Sequence, residues 1–364
     1  MRKLVILGLA AFCAGMVFAF VTVFRSHAVR SSSLETPISE AALASAFVAP
    51  TATPTVTPSP TLIPTETSTA TPVPPTPTPT VAPPAKTGAA PAPNVTAWSI
   101  AVIDGASGTL LYGKDPHHEL APASLTKIFT ALVALKYGDL NQEVTVQFDQ
   151  SQLTDSTLMG IRPGETYTLR DLLFGLMLPS GNDSALAIAN DIGGSEDKFV
   201  AMMNAQAASL GLKNSHFMNP HGLDAPGHYS SAYDLAMAAR YGMATYPEFQ
   251  VLARTNAYVV HGTRTWEIYN LNRFLRSYPG ADGVKIGYTD NAGRGIVASA
   301  TRNGHRVFVA LLHCGDIVND SVPLFNWVFS NYTWPAGEST PTAVPTTAST
   351  TVASVTPTPT LASP

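Results

Sequence analysis

Residues 123–127 read Ala123-Ser124-Leu125-Thr126-Lys127, and a strong helical pattern runs from Ser124 to about Tyr137. A hydroxyl and an amine three residues apart at the start of a helix share one of its faces. The N–H groups and the dipole at a helix N-terminus favour negative charge on Ser124 Oγ and on an oxyanion forming beside it. Lys127 can act as a base only if burial or a neighbouring cation lowers its pKa, and its apolar neighbours allow such burial.

The same spacing also occurs where it indicates no chemistry. Ser195-Glu196-Asp197-Lys198 follows two glycines and has an anionic first turn, so we interpret Ser195 as an ordinary helix N-cap. Two further motifs set Ser124 apart. Ser180-Gly181-Asn182 lies between two predicted helices, although by itself it also fits a turn and cap. Lys285-Ile286-Gly287 lies on a predicted strand, where a lysine among apolar residues needs a partner or a function.

Working outward from these motifs, the chain divides into N-terminal strands, central helices and C-terminal strands. Residues 98–112 contain two apolar runs around a Gly-rich turn, which predicts a β-hairpin. Helices are predicted at 124–137, 169–178, 183–192, 196–210, 231–243 and 320–331, and strands at 255–260, 283–288, 294–302 and 305–312. This order predicts an α+β fold: both chain ends form one antiparallel sheet, with helices on both faces and a helical subdomain.

Composition separates the folded unit from its flanks. The 364 residues contain 30 prolines, of which fifteen lie in 31–93 and six in 335–364. These Thr/Pro-rich flanks carry almost no charge, and they cannot bury enough apolar surface to offset the entropy of ordering. We therefore predict one domain at 94–334, between a disordered linker at 31–93 and a disordered tail at 335–364.

Residues 1–30 predict the compartment. Leu4–Phe24 is an unbroken apolar run of 21 residues, and a helix of that length matches the ~30 Å hydrocarbon thickness of a bilayer. The run is longer than the apolar region of a typical cleaved signal peptide, although Ser26-His27-Ala28 offers a small-residue cleavage site. We predict an N-terminal membrane anchor and an extracytoplasmic domain, which would instead be secreted if the segment is cleaved.

Charge and metal-ligand patterns exclude other classes of protein. Residues 94–334 contain 16 Lys and Arg against 21 Asp and Glu, a net charge of −5 without a basic run, so no nucleic-acid partner is predicted. A single cysteine, Cys314, excludes a disulfide within this domain. His216, His221, His228 and Asp224 share one loop, but their spacing matches no familiar metal motif. We predict neither a metal nor a cofactor.

Together the three motifs resemble those of the penicillin-recognising serine hydrolases. Within that group the chain is most similar to the D-alanyl-D-alanine carboxypeptidases, the low-molecular-mass penicillin-binding proteins. The similarity continues through 211–217, 221–224 and 293–300 and covers about 97–330. It implies a serine β-lactamase/transpeptidase-like fold, peptidoglycan stem peptides as substrates, an acyl-enzyme on Ser124, and covalent binding of β-lactam antibiotics.

The resemblance also implies catalytic roles. Ser124 attacks the peptide carbonyl and Lys127 takes its proton. Ser180 relays a proton towards the leaving amine, and Asn182 hydrogen-bonds Lys127 and the substrate amide. The N–H groups of Ser124 and Tyr288 would form the oxyanion hole. The substrate-binding residues implied in the same way are Lys285, Gly287, Tyr288, Thr289 and Arg273; Lys285 supplies positive potential to Lys127 and to the substrate carboxylate, near which Arg273 also lies.

Two departures from the family pattern affect recognition of the substrate carboxylate. Ile286 replaces the usual threonine of the third motif, so a hydroxyl that binds this carboxylate in the family is missing. Thr289 lies nearby, but strand alternation places it on the opposite face from residue 286. Where relatives often carry an arginine after the penultimate strand, this chain reads His313-Cys314-Gly315-Asp316. We therefore expect a weaker preference for a free C-terminal D-alanine.

Two alternative functions share the nucleophile. A β-lactamase would need fast deacylation, and we identify no counterpart of the acidic residue that activates the deacylating water in class A enzymes. A non-hydrolytic penicillin or cell-wall sensor is supported only by Ile286. The complete set of Ser124, Lys127, Ser180, Asn182 and Lys285 argues against it.

The missing hydroxyl gives a first prediction. Replacing Ile286→Thr restores a hydrogen-bond donor for the substrate carboxylate, so we expect kcat/KM on a peptide ending in D-Ala-D-Ala to rise. Steady-state hydrolysis of that peptide by both proteins measures the effect. An unchanged or lower value would show that residue 286 does not limit carboxylate recognition.

Overall fold

The computed structural model describes residues 81–148, 153 and 156–335. The predicted membrane segment, most of the linker and nearly all of the tail lie outside these residues. Within them, no helix is both long and apolar enough to cross a membrane. The strands are β1 (Ala85–Lys86), β2 (Ser99–Asp104), β3 (Leu110–Lys114), β4 (Glu143–Thr145), β5 (Thr166–Thr168), β6 (Ala257–Val260), β7 (Trp266–Tyr269), β8 (Ala281–Thr289), β9 (Gly293–Arg302), β10 (His305–Cys314) and β11 (Tyr332–Thr333). The helices are a 3-10 helix (Ala123–Thr126), α1 (Lys127–Tyr137), α2 (Leu169–Met177), α3 (Asn182–Gly193), α4 (Glu196–Ser209), α5 (Ala232–Thr245), α6 (Pro247–Arg254), α7 (Phe274–Ser277) and α8 (Ile317–Asn331).

Five strands form the central antiparallel sheet, in the order β3-β2-β10-β9-β8. β2 and β3 form the N-terminal hairpin, and the other three strands come from the last third of the domain. The two groups meet where β10 pairs with β2, with Val309 opposite Val102. Every residue of β2 is buried, as expected for a strand that is covered on both faces. The predicted α+β fold, with a sheet built from both chain ends, is confirmed.

The two faces of the sheet pack into separate cores. On β9, Val297 joins the larger core, which includes the helices α1 to α6, whereas Ile296 and Ala298 join the core that contains α8. This division follows from the two-residue period of a strand. Within the larger core, residues 127–134 of α1 are all buried, as expected for a helix that is apolar around most of its circumference. The predicted helices on both faces are confirmed.

Some short elements differ from the sequence-based expectation. α6 follows α5 directly and begins at Pro247, a position where the missing N–H of proline costs nothing. Its eight residues are too short to give a clear helical period beside α5. α8 begins at Ile317, before the predicted start at 320, because Asp316 caps it by accepting hydrogen bonds from the N–H groups of Val318 and Asn319.

The ordered domain also extends beyond the predicted boundary at residue 94. β1 pairs with β11 next to the C-terminal end of α8, and Trp327 Nε1 donates a hydrogen bond of 2.9 Å to the Ala90 carbonyl. The sequence conceals these contacts because they use backbone groups of a proline-rich stretch and a partner at the other end of the chain. Residues 85–90, assigned to the linker by composition, therefore pack on the domain.

Candidate active site

Ser124 and Lys127 lie where the 3-10 helix continues into α1. Lys127 is fully buried, and its Nζ donates hydrogen bonds to Ser124 Oγ at 2.9 Å, to Asn182 Oδ1 at 2.6 Å and to the His221 carbonyl at 2.7 Å. These contacts use all three donors of an ammonium group. After loss of one proton, Nζ has a lone pair within hydrogen-bonding distance of the Ser124 hydroxyl. The pair therefore has the geometry of a nucleophile and its base.

The surroundings of Lys127 hold its pKa well below the ordinary value. Burial is the largest cause, because the charged form loses its hydration, and the positive charge of Lys285 acts in the same direction. The negative charge of Asp183 opposes both effects. A lowered pKa makes a neutral amine available nearer to neutral pH, which a general base requires.

Ser180 and Asn182 come from the turn between α2 and α3. Ser180 has a backbone φ of 64°, in the left-handed region that residues other than glycine rarely adopt. Its carbonyl accepts a hydrogen bond of 2.7 Å from Thr157 Oγ1. Asn182 is the first residue of α3, and its Oδ1 accepts the hydrogen bond from Lys127. Such unfavourable backbone conformations concentrate at functional sites, and here the turn brings Asn182 to Lys127 and places Ser180 in the cleft that Ser124 also lines.

Asp183 fixes the wall of the site beside this turn, a role that the sequence motifs did not predict. Its carboxylate accepts hydrogen bonds from the N–H groups of Met159 at 2.8 Å, Gly160 at 2.7 Å and Ile161 at 3.1 Å. Burial raises the pKa of Asp183, and these hydrogen bonds oppose that rise. The only sequence signal is an acidic residue in the first turn of a helix, which is also common where no such role exists.

β8 forms the other wall as the edge strand of the sheet. Lys285 is buried on this strand, and burial lowers its pKa to about 7. Gly287 lies against the turn that carries the nucleophile: a Cβ there would be 2.9 Å from Ser124 N and 3.1 Å from Leu125 N. A glycine is therefore needed for the strand to approach Ser124 this closely.

A cleft of about 290 Å³ lies between the two walls, near the lower end of the size range of small-molecule sites. Lys127 and Asn182 are buried and contact each other beside Ser124. Among the described residues, those that line the cleft are Ser124, Thr157, Ser180, Leu271, Arg273, Ile286, Gly287, Tyr288, Arg294 and Ile317. The cleft therefore joins all three sequence motifs.

Some of the implied substrate-binding residues line the cleft, and one does not. Gly287, Tyr288 and Arg273 line the cleft, and Arg273 forms an ion pair of 2.8 Å with Asp316. Thr289 does not line it: its hydroxyl donates a hydrogen bond of 3.0 Å to Asp224 Oδ1. Its position agrees with the strand alternation that places Thr289 on the opposite face from residue 286, so it does not replace the hydroxyl missing there.

Arg294 also lines the cleft, although it lies outside the three sequence motifs. It lies at the start of β9, and its guanidinium lies over the ring of Tyr288, 5.7 Å from the centroid. The hairpin register pairs Arg294 with Tyr288 directly across the two strands. That register, counted back from the turn at Gly293, is the signal that would have placed Arg294 in the site.

The histidine-rich loop forms hydrogen bonds to Lys127 and to Thr126, which lie next to each other in the chain. The His221 carbonyl binds Lys127, and His228 Nδ1 accepts a hydrogen bond of 3.0 Å from the Met218 N–H. His228 Nε2 therefore carries the proton and donates to Thr126 Oγ1 at 2.8 Å. Burial lowers the pKa of His221 to about 3 and that of His228 to about 4, so both rings are neutral near pH 7. In the part of the chain that the structure describes, no group of three His, Cys, Asp or Glu residues is arranged to hold a metal ion.

Known proteins are similar to this chain in sequence and fold. A family model described as D-alanyl-D-alanine carboxypeptidase matches residues 85–314. The D-alanyl-D-alanine carboxypeptidase DacB2 of Mycobacterium tuberculosis is 38% identical over 253 residues, which are 67% of this chain and 86% of that protein. DacF of Bacillus subtilis is 37% identical over 220 residues, 58% of this chain and 56% of that relative, so its matched region is little more than half of its length.

Solved structures give the same result. The Streptomyces K15 DD-transpeptidase superimposes with a TM-score of 0.63 at 32% identity, covering 66% of this chain and all of that one (100%). A D-alanyl-D-alanine carboxypeptidase from Mycobacterium tuberculosis gives a TM-score of 0.63 at 35% identity, covering 70% of this chain and 98% of that one. The family match extends across most of the folded domain, and the chain belongs to the family of D-alanyl-D-alanine carboxypeptidases.

Proposed function

We propose that this protein removes the terminal D-alanine from peptidoglycan stem peptides through an acyl-enzyme on Ser124. We also propose that its N-terminal segment anchors it in the cell membrane, with the catalytic domain on the outer side. One observation carries the catalytic part of the proposal. The buried Lys127 Nζ lies 2.9 Å from Ser124 Oγ, and its surroundings lower the pKa of this amine. Family membership supplies the substrate class, and the apolar run Leu4–Phe24 supports the anchor.

Acylation proceeds from neutral Lys127. Ser124 Oγ attacks the carbonyl carbon of the penultimate D-alanine, and its proton passes to Lys127 Nζ. The tetrahedral intermediate carries a negative oxygen, for which the N–H groups of Ser124 and Tyr288 are the proposed donors. When the intermediate collapses, the C–N bond breaks, and the departing amine takes a proton by way of Ser180. Free D-alanine leaves, and an ester remains on Ser124.

Deacylation repeats the sequence with water as the nucleophile. Neutral Lys127 accepts a proton from the attacking water, the ester C–O bond breaks, and Ser124 Oγ regains a proton. The shortened stem peptide departs with a new carboxylate. Because Asn182 and the His221 carbonyl hold Nζ in place in both half-reactions, the same base serves each one without moving.

The geometry of the site favours this activity over that of a β-lactamase. A β-lactamase needs a group that activates the deacylating water quickly. Asp183 is the carboxylate that acts on Lys127, but its oxygens already accept hydrogen bonds from the N–H groups of Met159, Gly160, Ile161 and Ser184. Both oxygens are therefore engaged, and Asp183 is not among the described residues that line the cleft. It is not placed to activate a water at the ester, so a β-lactam ester on Ser124 should persist.

The acyl-enzyme gives the second prediction. Incubation with a labelled penicillin should add the mass of one penicillin to the protein, and peptide mapping should locate it on Ser124. Ser124→Ala should give no adduct, and Lys127→Gln should slow acylation on the order of 1,000-fold because the base is lost. Intact-mass spectrometry over time measures both effects.

Ser195 and Lys198 offer a matched control because they have the same spacing. Ser195 caps α4, and Lys198 is exposed. Lys198→Gln should therefore acylate like the parent protein. Rapid turnover of the penicillin would indicate a β-lactamase, and the absence of an adduct on Ser124 would contradict the proposed nucleophile.

The third prediction concerns pH. kcat/KM should rise with pH through the lowered pKa of Lys127, because only the neutral amine accepts the Ser124 proton. A separate falling limb should appear near pH 7, where Lys285 loses the charge that attracts the substrate carboxylate. Lys285→Arg retains a charge at all accessible pH values, so its alkaline limb should move to higher pH. An alkaline limb at the same pH in this variant would assign it to another group.

The fourth prediction tests the anchor. After cell fractionation the full chain should sediment with the membranes. In intact cells it should be accessible to protease added from outside. Deletion of residues 4–24 should leave it in the cytoplasm, because no apolar segment remains to direct export. The mass of the exported chain shows whether the segment is retained. Recovery of the full chain from the soluble cytoplasm would contradict the proposed location.

A further inference from the structure

The cleft contains two arginines, and they differ in what holds them. Arg273 donates a hydrogen bond of 2.8 Å to Asp316 Oδ2. The hydrogen bond from the Asn319 N–H, and after it this pairing, lower the pKa of Asp316, so the carboxylate stays charged and continues to hold the arginine. A substrate carboxylate that bound Arg273 would compete with this ion pair. Arg273 is therefore only partly available for recognition.

Arg294 is not paired in this way. Among the described residues, its polar contact is a long hydrogen bond of 3.5 Å to the Gly315 carbonyl, and its guanidinium lies over the exposed ring of Tyr288. A guanidinium over an aromatic ring keeps its N–H edge free for an acceptor. The side chain is exposed and lines the same cleft as Ser124.

The strand register places Arg294 beside the missing hydroxyl. Tyr288 pairs with Arg294, and Ile286 pairs with Ile296. Residues 286, 288, 294 and 296 therefore share one face of the sheet, since side chains alternate along each strand. Arg294 is the diagonal neighbour of Ile286, a separation that long side chains bridge.

We propose that Arg294 binds the terminal carboxylate of the substrate, in place of the hydroxyl absent at Ile286. This inference rests on the proposed carboxypeptidase function, which supplies a substrate with a free C-terminal carboxylate one residue from the carbonyl that Ser124 attacks. A planar guanidinium binds a carboxylate through two parallel N–H donors, which a single hydroxyl cannot do. The protein therefore keeps a preference for a free carboxylate although it lacks the threonine. The residue that binds this carboxylate lies on β9 instead of β8.

The test compares two substrates that differ only in charge. One is a stem-like peptide ending in D-Ala-D-Ala with a free carboxylate, and the other is the same peptide with a C-terminal amide. The proteins are the parent, Arg294→Gln, Arg294→Lys and the matched control Arg254→Gln, which removes an exposed arginine at the end of α6. Circular dichroism establishes that each variant is folded.

Arg294→Gln should lower kcat/KM on the free acid about 10- to 100-fold, the effect of losing one charged hydrogen-bonding partner, with little change on the amide. Arg294→Lys should lie in between, because it keeps the charge but not the paired donors. Arg254→Gln should match the parent on both substrates. Ile286→Thr should raise activity on the free acid more in the Arg294→Gln background than in the parent, because the two groups serve the same carboxylate.

The outcomes separate this inference from the function on which it rests. If the parent hydrolyses the free acid and Arg294→Gln leaves the acid-to-amide ratio unchanged, Arg294 does not bind the carboxylate, while the proposed function stands. An equal loss on both substrates would assign Arg294 a structural role and would also overturn the inference. If the parent cleaves neither peptide and forms no penicillin adduct, both proposals fail.

Discussion

The burial of the Lys127 amine inside the larger core is the constraint on which the rest of the site depends. A cation removed from water is costly unless it is paired or loses its proton. Here the protein supplies three hydrogen-bond acceptors but places the positive charge of Lys285 nearby, so the balance moves towards the neutral amine. The amine is thus held in position without being held in its charged form. That combination makes an ordinary lysine useful as a base.

Each acceptor of Lys127 comes from a different part of the chain, and this explains the architecture. Ser124 precedes α1, Asn182 begins α3, and His221 lies in the loop before α5. The sheet adds Lys285 from a strand that approaches closely because Gly287 has no side chain. The Asp183 hydrogen bonds to residues 159–161 then fix the wall beside the turn. The helical subdomain and the sheet therefore both contribute to the surroundings of Lys127 Nζ.

The sequence was sufficient for the fold class and for the local geometry of each motif. The Ser124–Lys127 spacing placed both groups on one helix face, and alternation showed that Thr289 points away from the face of residue 286. What the sequence could not show were contacts between distant segments: the His221 carbonyl on Lys127, the N–H donors around Asp183, and β1 on β11. These use backbone groups, which any residue provides. Such contacts leave little mark on composition or periodicity.

Arg294 and Arg273 show how charge and geometry together decide which residue recognises a ligand. The sequence assigns Arg273 to the carboxylate region through the family resemblance, and the structure places it at the cleft. Its ion pair with Asp316, which also caps α8, gives that arginine a structural partner. Arg294 has no comparable acidic partner among the described residues, and the register fixes it across from Tyr288. Because one hairpin carries both Gly287 and Arg294, the contact that positions β8 against the nucleophile also sets where the carboxylate is bound.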